Sequence, residues 1–156
     1  MYKCKYYKIG ELVHPNILKE VSEDILWMMF DDRLLKAADI IREAYGPIFV
    51  NDSKLQLFNC GLRELDTKTG AKYSAHKIGR ALDLHILSIE NKGLSKEDKI
   101  KVYNRIRGEI LNIDFPNLDL DRSLEYEEYL GCLNFEKDIS WLHIDTYNRP
   151  SREFNP

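Results

Sequence analysis

Two short segments carry most of the residues that could do chemistry. "YSAHKIGRALDLHI" (residues 73–86) contributes Ser74, His76, Asp83 and His85, and "ISWLHIDTYN" (residues 139–148) contributes His143 and Asp145. Otherwise both read as apolar strands. Imidazole and carboxylate groups cost free energy when buried unless something pairs with them. On a strand, residues two apart share a face. Ala81, Asp83 and His85 therefore share one face, and Leu82, Leu84 and Ile86 the other. In the second segment Trp141, His143 and Asp145 lie together, opposite Leu142 and Ile144. If the two strands are neighbours, Asp83 and His143 converge. His76 precedes the first strand, and Gly79 between them has the backbone freedom to fold the loop back.

Two imidazoles and one carboxylate leave the fourth position of a tetrahedral zinc ion open to water. That is the pattern of a catalytic site, in contrast to a closed four-ligand structural one. Zinc lowers the pKa of such a water to roughly 7 and polarises a carbonyl. The plain alternative is a domain whose His and Asp residues merely pair with one another.

"SAHKIGRALD" fits S-x-H-x-x-G-x-A-x-D, and "WLHID" fits W-x-H-x-D. In these motifs the chain resembles the zinc peptidases of the D-alanyl-D-alanine carboxypeptidase and lysostaphin group. These share a fold with the hedgehog signalling domain. The resemblance is to the short phage and prophage peptidases that cleave cell-wall peptides, and it covers roughly residues 48–148. It implies one zinc per chain held by His76, Asp83 and His143. It also implies an upstream arginine that anchors substrate carboxylate or carbonyl groups, and "CGLR" puts Arg63 there.

The resemblance breaks at the general base. Many members carry Glu three residues before the last His, where this chain has Ser140, whose hydroxyl cannot serve. The nearby carboxylates are Glu136, Asp138 and Asp145. Asp138, in the loop entering the last strand, is the first choice. Asp145 is the second, unless it holds a ligand histidine by its other nitrogen. Glu136 is the third. His85 is expected beside the metal ligands or in the core, and Ser74 as a turn or ligand-orienting hydroxyl. No GxSxG surrounds Ser74 to make it a nucleophile.

The elements that must position these groups follow from periodicity. "HPNILKEVSEDILWMMF" carries a helical pattern, with Ile17, Leu18, Val21, Ile25, Leu26 and Met29 on one face. A second helix starts near Asp31 or Asp32 and stops at Gly46-Pro47. "IFVND" reads as a strand, residues 64–73 as a surface loop and "SIENKG" as another loop. Ser95 and Asp98 resemble a capping box before an amphipathic helix with Ile100, Tyr103, Ile106 and Ile110 inward. "LEYEEYLGCLNF" is read as supplying a strand, and "NRPSREFNP" as a tail. The expected fold class is α+β: N-terminal helices packed on a small antiparallel sheet, in one domain over residues 1–156. By resemblance this is the zinc-peptidase and hedgehog fold.

The chain has 156 residues, a net charge of −3 and basic residues spread along it, so nothing favours nucleic acid. Cys4, Cys60 and Cys132 are odd in number and form no CxxC, which excludes a disulfide framework or zinc ribbon. No run reaches the roughly 18 apolar residues of a membrane span. The N-terminus "MYKCKYYKIGELV" lacks an apolar leader, so a cytoplasmic protein is expected, able to reach the wall only after release. The expected activity is hydrolysis of a stem or cross-bridge peptide of peptidoglycan, by a carboxypeptidase or an endopeptidase such as a phage lysis enzyme. A domain that holds zinc but only binds a wall peptide or partner is the alternative. Oligomeric state is not legible.

Overall fold

The alternating run Ala81–Ile86 forms strand β2, and Leu142–Asp145 forms β4. The two pair antiparallel with Ala81 opposite Asp145 and Asp83 opposite His143. Around this pair, in a computed structural model describing residues 1–155, a five-stranded sheet runs in the order β1-β2-β4-β3-β5. Strand β1 is Ile48–Phe49, β3 is Asn134–Glu136 and β5 is Glu153–Phe154. All neighbours are antiparallel except β3 and β5, which are parallel. The expected antiparallel sheet thus gains one parallel edge, made by residues read from sequence as a tail.

The helical N-terminal segment forms α1 (Ile9–Leu12), α2 (Pro15–Glu20), α3 (Glu23–Met28) and α4 (Asp32–Tyr45). Pro15 occupies the first turn of α2, where its missing N–H costs nothing, and the His14 side chain caps that end. One long helix was expected across α2 and α3. Extended backbone at Val21 and Ser22 breaks it, and the new turn rotates the inward face. Leu26 and Trp27 are therefore buried, while Ile25 and Met29 are exposed. Helix α4 starts at Asp31, whose carboxylate accepts from Arg33 N, and ends at Gly46 with φ of 84°. It buries Leu34, Leu35, Ala38, Ile40 and Ile41, as its spacing predicts.

After β2 come a single turn, α5 (Leu87–Glu90), then α6 (Lys96–Leu111) and α7 (Ser123–Leu130). Two expectations are corrected here. "SIENKG" begins as a helical turn, not a loop. Of "LEYEEYLGCLNF" only the last two residues, Asn134 and Phe135, enter a strand, β3; "LEYEEYL" is helix, because Tyr126 and Leu130, four residues apart, both face the core. Ser95 caps α6 by accepting from Asp98 N, and Tyr103, Ile106 and Ile110 point inward.

One continuous core joins these layers. Leu82, Leu84 and Ile86 of β2, Leu142 and Ile144 of β4, and Phe135 of β3 cluster with the inward residues of α4, α6 and α7. Each such side chain contributes roughly 1.5–3 kcal/mol by leaving water. The apolar face of the sheet is thus committed, and Asp83 and His143 lie on the other. Among the described residues, no helix is long and apolar enough to cross a membrane.

Candidate metal centre

Three elements bring the ligand atoms together. Asp83 and His143 meet because they are directly paired across β2 and β4. His76 arrives from a 3-10 turn, Ala75–Ile78, that ends at Gly79 in the left-handed region, φ 67°. A side chain at Gly79 would also collide with the Met29 carbonyl, so only glycine lets this turn pack against the end of α3. One ligand atom from each of His76, Asp83 and His143 lies within 4.8 Å of the others, and all three residues are buried. Asp83 Oδ1 is 2.7 Å from His143 Nδ1 and 3.4 Å from His76 Nε2.

The outer atom of each ring is already held. His76 Nδ1 is 3.1 Å from the Gly61 carbonyl, and His143 Nε2 is 3.2 Å from Asp145 Oδ2. A carbonyl or carboxylate can only accept, so these outer nitrogens carry the protons. In neutral rings the inner nitrogens are then lone pairs. For His143 that places a lone pair 2.7 Å from a carboxylate oxygen. Two acceptors at that distance require a cation or a second proton between them. Burial opposes a charged His143, yet Asp145 and Asp83 outweigh it and lift the imidazole to about 9. Burial also works against the Asp83 carboxylate, but His76 and His143 hold it well below the usual range. His76 is pushed down by burial, and Asp83 offsets this only in part. The buried His-Asp-His group could therefore hold a metal ion, which would take the place of the proton.

Asp145 is fully buried and spends both oxygens behind His143. It accepts from Asn134 Nδ2 at 2.9 Å, Tyr147 N at 3.0 Å and Arg149 Nε at 2.8 Å. This is the arrangement that fixes a ligand histidine's tautomer and ring plane. Arg63 is buried beside the ligands. Its Nη2 donates to Asp83 Oδ2 at 3.1 Å and its Nε to the Asn59 carbonyl.

A cleft of about 520 Å³ opens over these atoms, lined by Arg63, Ser74, His76, Asp83, Trp141 and His143 among others. Glu136 is the carboxylate the structure adds to that lining, with Oε2 3.9 Å from His143 Nδ1. Asp138 is not brought there. It sits at φ 59°, and its carboxylate accepts from Asn104 Nδ2 of α6 at 2.9 Å. Asn104 Oδ1 in turn accepts from Asp138 N, so the pair pins the turn between β3 and β4. Two residues earlier, Glu136 still belongs to β3, where it pairs with Phe154 of β5. His85 also lies outside the cleft, stacked on Phe49 with ring centroids 5.0 Å apart and 3.7 Å from Cys60 Sγ.

Neither a protein-family model, nor a curated protein, nor a solved structure matches this chain. Its own geometry must carry the functional reading.

Cleft residues not singled out from sequence include Gly70, Arg149, Phe154 and Asn155. Asn134, which holds Asp145, was missed as well. For Arg149 a signal existed, since it stands four residues after Asp145. For Phe154 there was none, because β5 adds to the sheet through backbone bonds of two residues.

Proposed function

We propose that the protein is a zinc-dependent peptidase acting on peptidoglycan peptides, akin to the D-alanyl-D-alanine carboxypeptidase and hedgehog-fold group. The observation that carries this is the ligand triad with both outer imidazole nitrogens already held, under a cleft that contains one further carboxylate, Glu136. Two nitrogens and one oxygen suit zinc and leave one position open. When bound, zinc supplies Lewis acidity, lowering the pKa of a water to roughly 7 and polarising a carbonyl.

The chain's own residues take the remaining roles. Glu136 removes the proton of the attacking water and returns one to the leaving amine, the general-base work first assigned to Asp138. Arg63 orients the scissile carbonyl or a nearby carboxylate with its spare N–H groups and favours negative charge that develops there. Asp145 keeps His143 in the tautomer that presents Nδ1. Trp141 walls the cleft and excludes water. Glu136 favours this reading over a domain that holds zinc and only binds, because such a domain needs no carboxylate at the open position.

Metal content and amine release from purified peptidoglycan, measured together on wild type and His143→Ala, test the proposal. About one zinc per chain, lost in the variant together with hydrolysis, is the expected result. Zinc without hydrolysis of any wall peptide would point to the binding module instead. Failure to take up any metal would sink both readings.

A further inference from the structure

Five residues form a hydrogen-bonded chain under the cleft: Arg63, Asp83, His143, Asp145 and Arg149. The links are 3.1 Å from Arg63 Nη2 to Asp83 Oδ2, 2.7 Å on to His143 Nδ1, 3.2 Å from its Nε2 to Asp145 Oδ2, and 2.8 Å to Arg149 Nε. The middle three form and orient the metal centre. The two ends are guanidinium groups, and both line the cleft.

Arg149 is fixed more firmly than a surface ion pair requires. Its Nε donates to a carboxylate that is wholly buried and held by Asn134 and the Tyr147 amide. Its guanidinium carbon lies 3.7 Å from the centroid of the Phe154 ring, a stacked cation–π contact. One edge and one face of the planar head are thus occupied. Neither Nη has a hydrogen-bond partner among the described residues. If Arg149 only neutralised Asp145, neither the platform under it nor its place in the cleft wall would be needed. A planar fork with two spare N–H ends matches a carboxylate in two parallel hydrogen bonds.

We propose that Arg149 is a carboxylate anchor of the cleft, selecting peptides that carry an anionic carboxylate next to the bond held over the metal centre. This rests on the reading of the cleft as a peptide site. The carboxylate comes either from a free C-terminus, which would make the protein a carboxypeptidase, or from an acidic side chain within a longer peptide. Arg63 offers no complete fork of its own, because one of its terminal nitrogens is already committed to Asp83.

The test is calorimetric titration of the full chain, metal-free and zinc-loaded, with three probes. They are N-acetyl-D-alanyl-D-alanine, its C-terminal amide, and N-acetyl-D-alanyl-glutamyl amide. Wild type is expected to bind one or both carboxylate probes roughly tenfold or more tightly than the plain amide. The probe preferred names the source of the carboxylate. Arg149→Gln is expected to erase the preference, and affinity for the plain amide gauges any loss that comes instead from releasing Asp145. Arg149→Lys, which keeps the charge without the fork, retains part of it, and Phe154→Leu weakens it by removing the platform. Should Arg149→Gln not fold, the lysine and Phe154 variants carry the test. Equal binding of acid and amide by wild type, or a preference that survives in the Arg149 variants, overturns the anchor. Binding needs no turnover. A carboxylate preference without hydrolysis would leave the anchor standing and remove the peptidase reading, and hydrolysis without the preference would do the reverse.

Discussion

Asp83 and His143 are direct cross-strand partners in the β2–β4 pair, and their side chains meet at 2.7 Å on the face of the sheet turned away from the core. Register alone brings them together. A slip of β2 by one residue would put Leu82 or Leu84 there and send Asp83 into the hydrophobic core. The apolar alternation that builds the core therefore also sets the metal centre.

Asp83 satisfies both imidazoles and the Arg63 guanidinium. Asp83→Ala is expected to abolish metal binding, as read by elemental analysis. It should also lower stability by about 3–5 kcal/mol, because it leaves a buried guanidinium without its partner. In wild type, zinc at a free concentration of 100 times its Kd should add about 2.7 kcal/mol to stability. Scanning calorimetry with and without chelator measures this. A melting temperature indifferent to both would count against the site.

Glu136 and Asp138 separate cleanly by mutation. Glu136→Gln should keep its zinc and lose roughly 10²–10⁴-fold in kcat. Asp138→Asn should keep both zinc and activity. Asparagine accepts the positive φ of 59° and preserves the oxygen that meets Asn104. Steady-state kinetics on a wall peptide decides, and the opposite pattern would return the base to Asp138.

Gly79 tests the turn that delivers His76. Gly79→Ala meets two penalties, a left-handed φ and a Cβ placed 2.1 Å from the Met29 carbonyl oxygen. The first costs about 1–2 kcal/mol. The second forces backbone to move, so denaturant unfolding should show a loss of more than about 2 kcal/mol with reduced metal affinity.

Far from the cleft, Glu43 should make acid stability measurable. Burial raises its pKa, but Arg122, Lys5 and Tyr6 outweigh this and hold it at about 2, against an ordinary 4.5. A depressed carboxylate contributes stability that is present above its unfolded pKa and lost as pH falls through the folded one. Glu43→Gln should thus be less stable than wild type at pH 7, by on the order of 1–2 kcal/mol after solvent screening. The gap should close between about pH 5 and pH 2. Urea melts across that range check it, and a gap independent of pH would show that the carboxylate's charge is not what matters.

Strands β2 and β4 were legible because a period of two leaves a strong trace when one face is apolar, and Asp83 and His143 came with them; His76 was read from the motif just before β2. What depended on distant partners was not legible. The direction of Asp138 is decided by Asn104, 34 residues away on another element. "LEYEEYL" alternates well enough to imitate a strand, and only the joint burial of Tyr126 and Leu130 shows the helix. The break between α2 and α3 turns on extended backbone at Val21 and Ser22, which no glycine or proline marks. Phe154 joined the site through a parallel edge strand too short to leave any pattern.

His76 and Asp83 leave the ribosome well before His143, which is 60 residues beyond Asp83. Helices α6 and α7 lie between, so closing the β2–β4 loop carries an entropic cost that local contacts do not offset. A chain that ends before residue 143 therefore lacks one of the three candidate ligands. Were an ion bound, its uptake would report that this long-range pairing had formed.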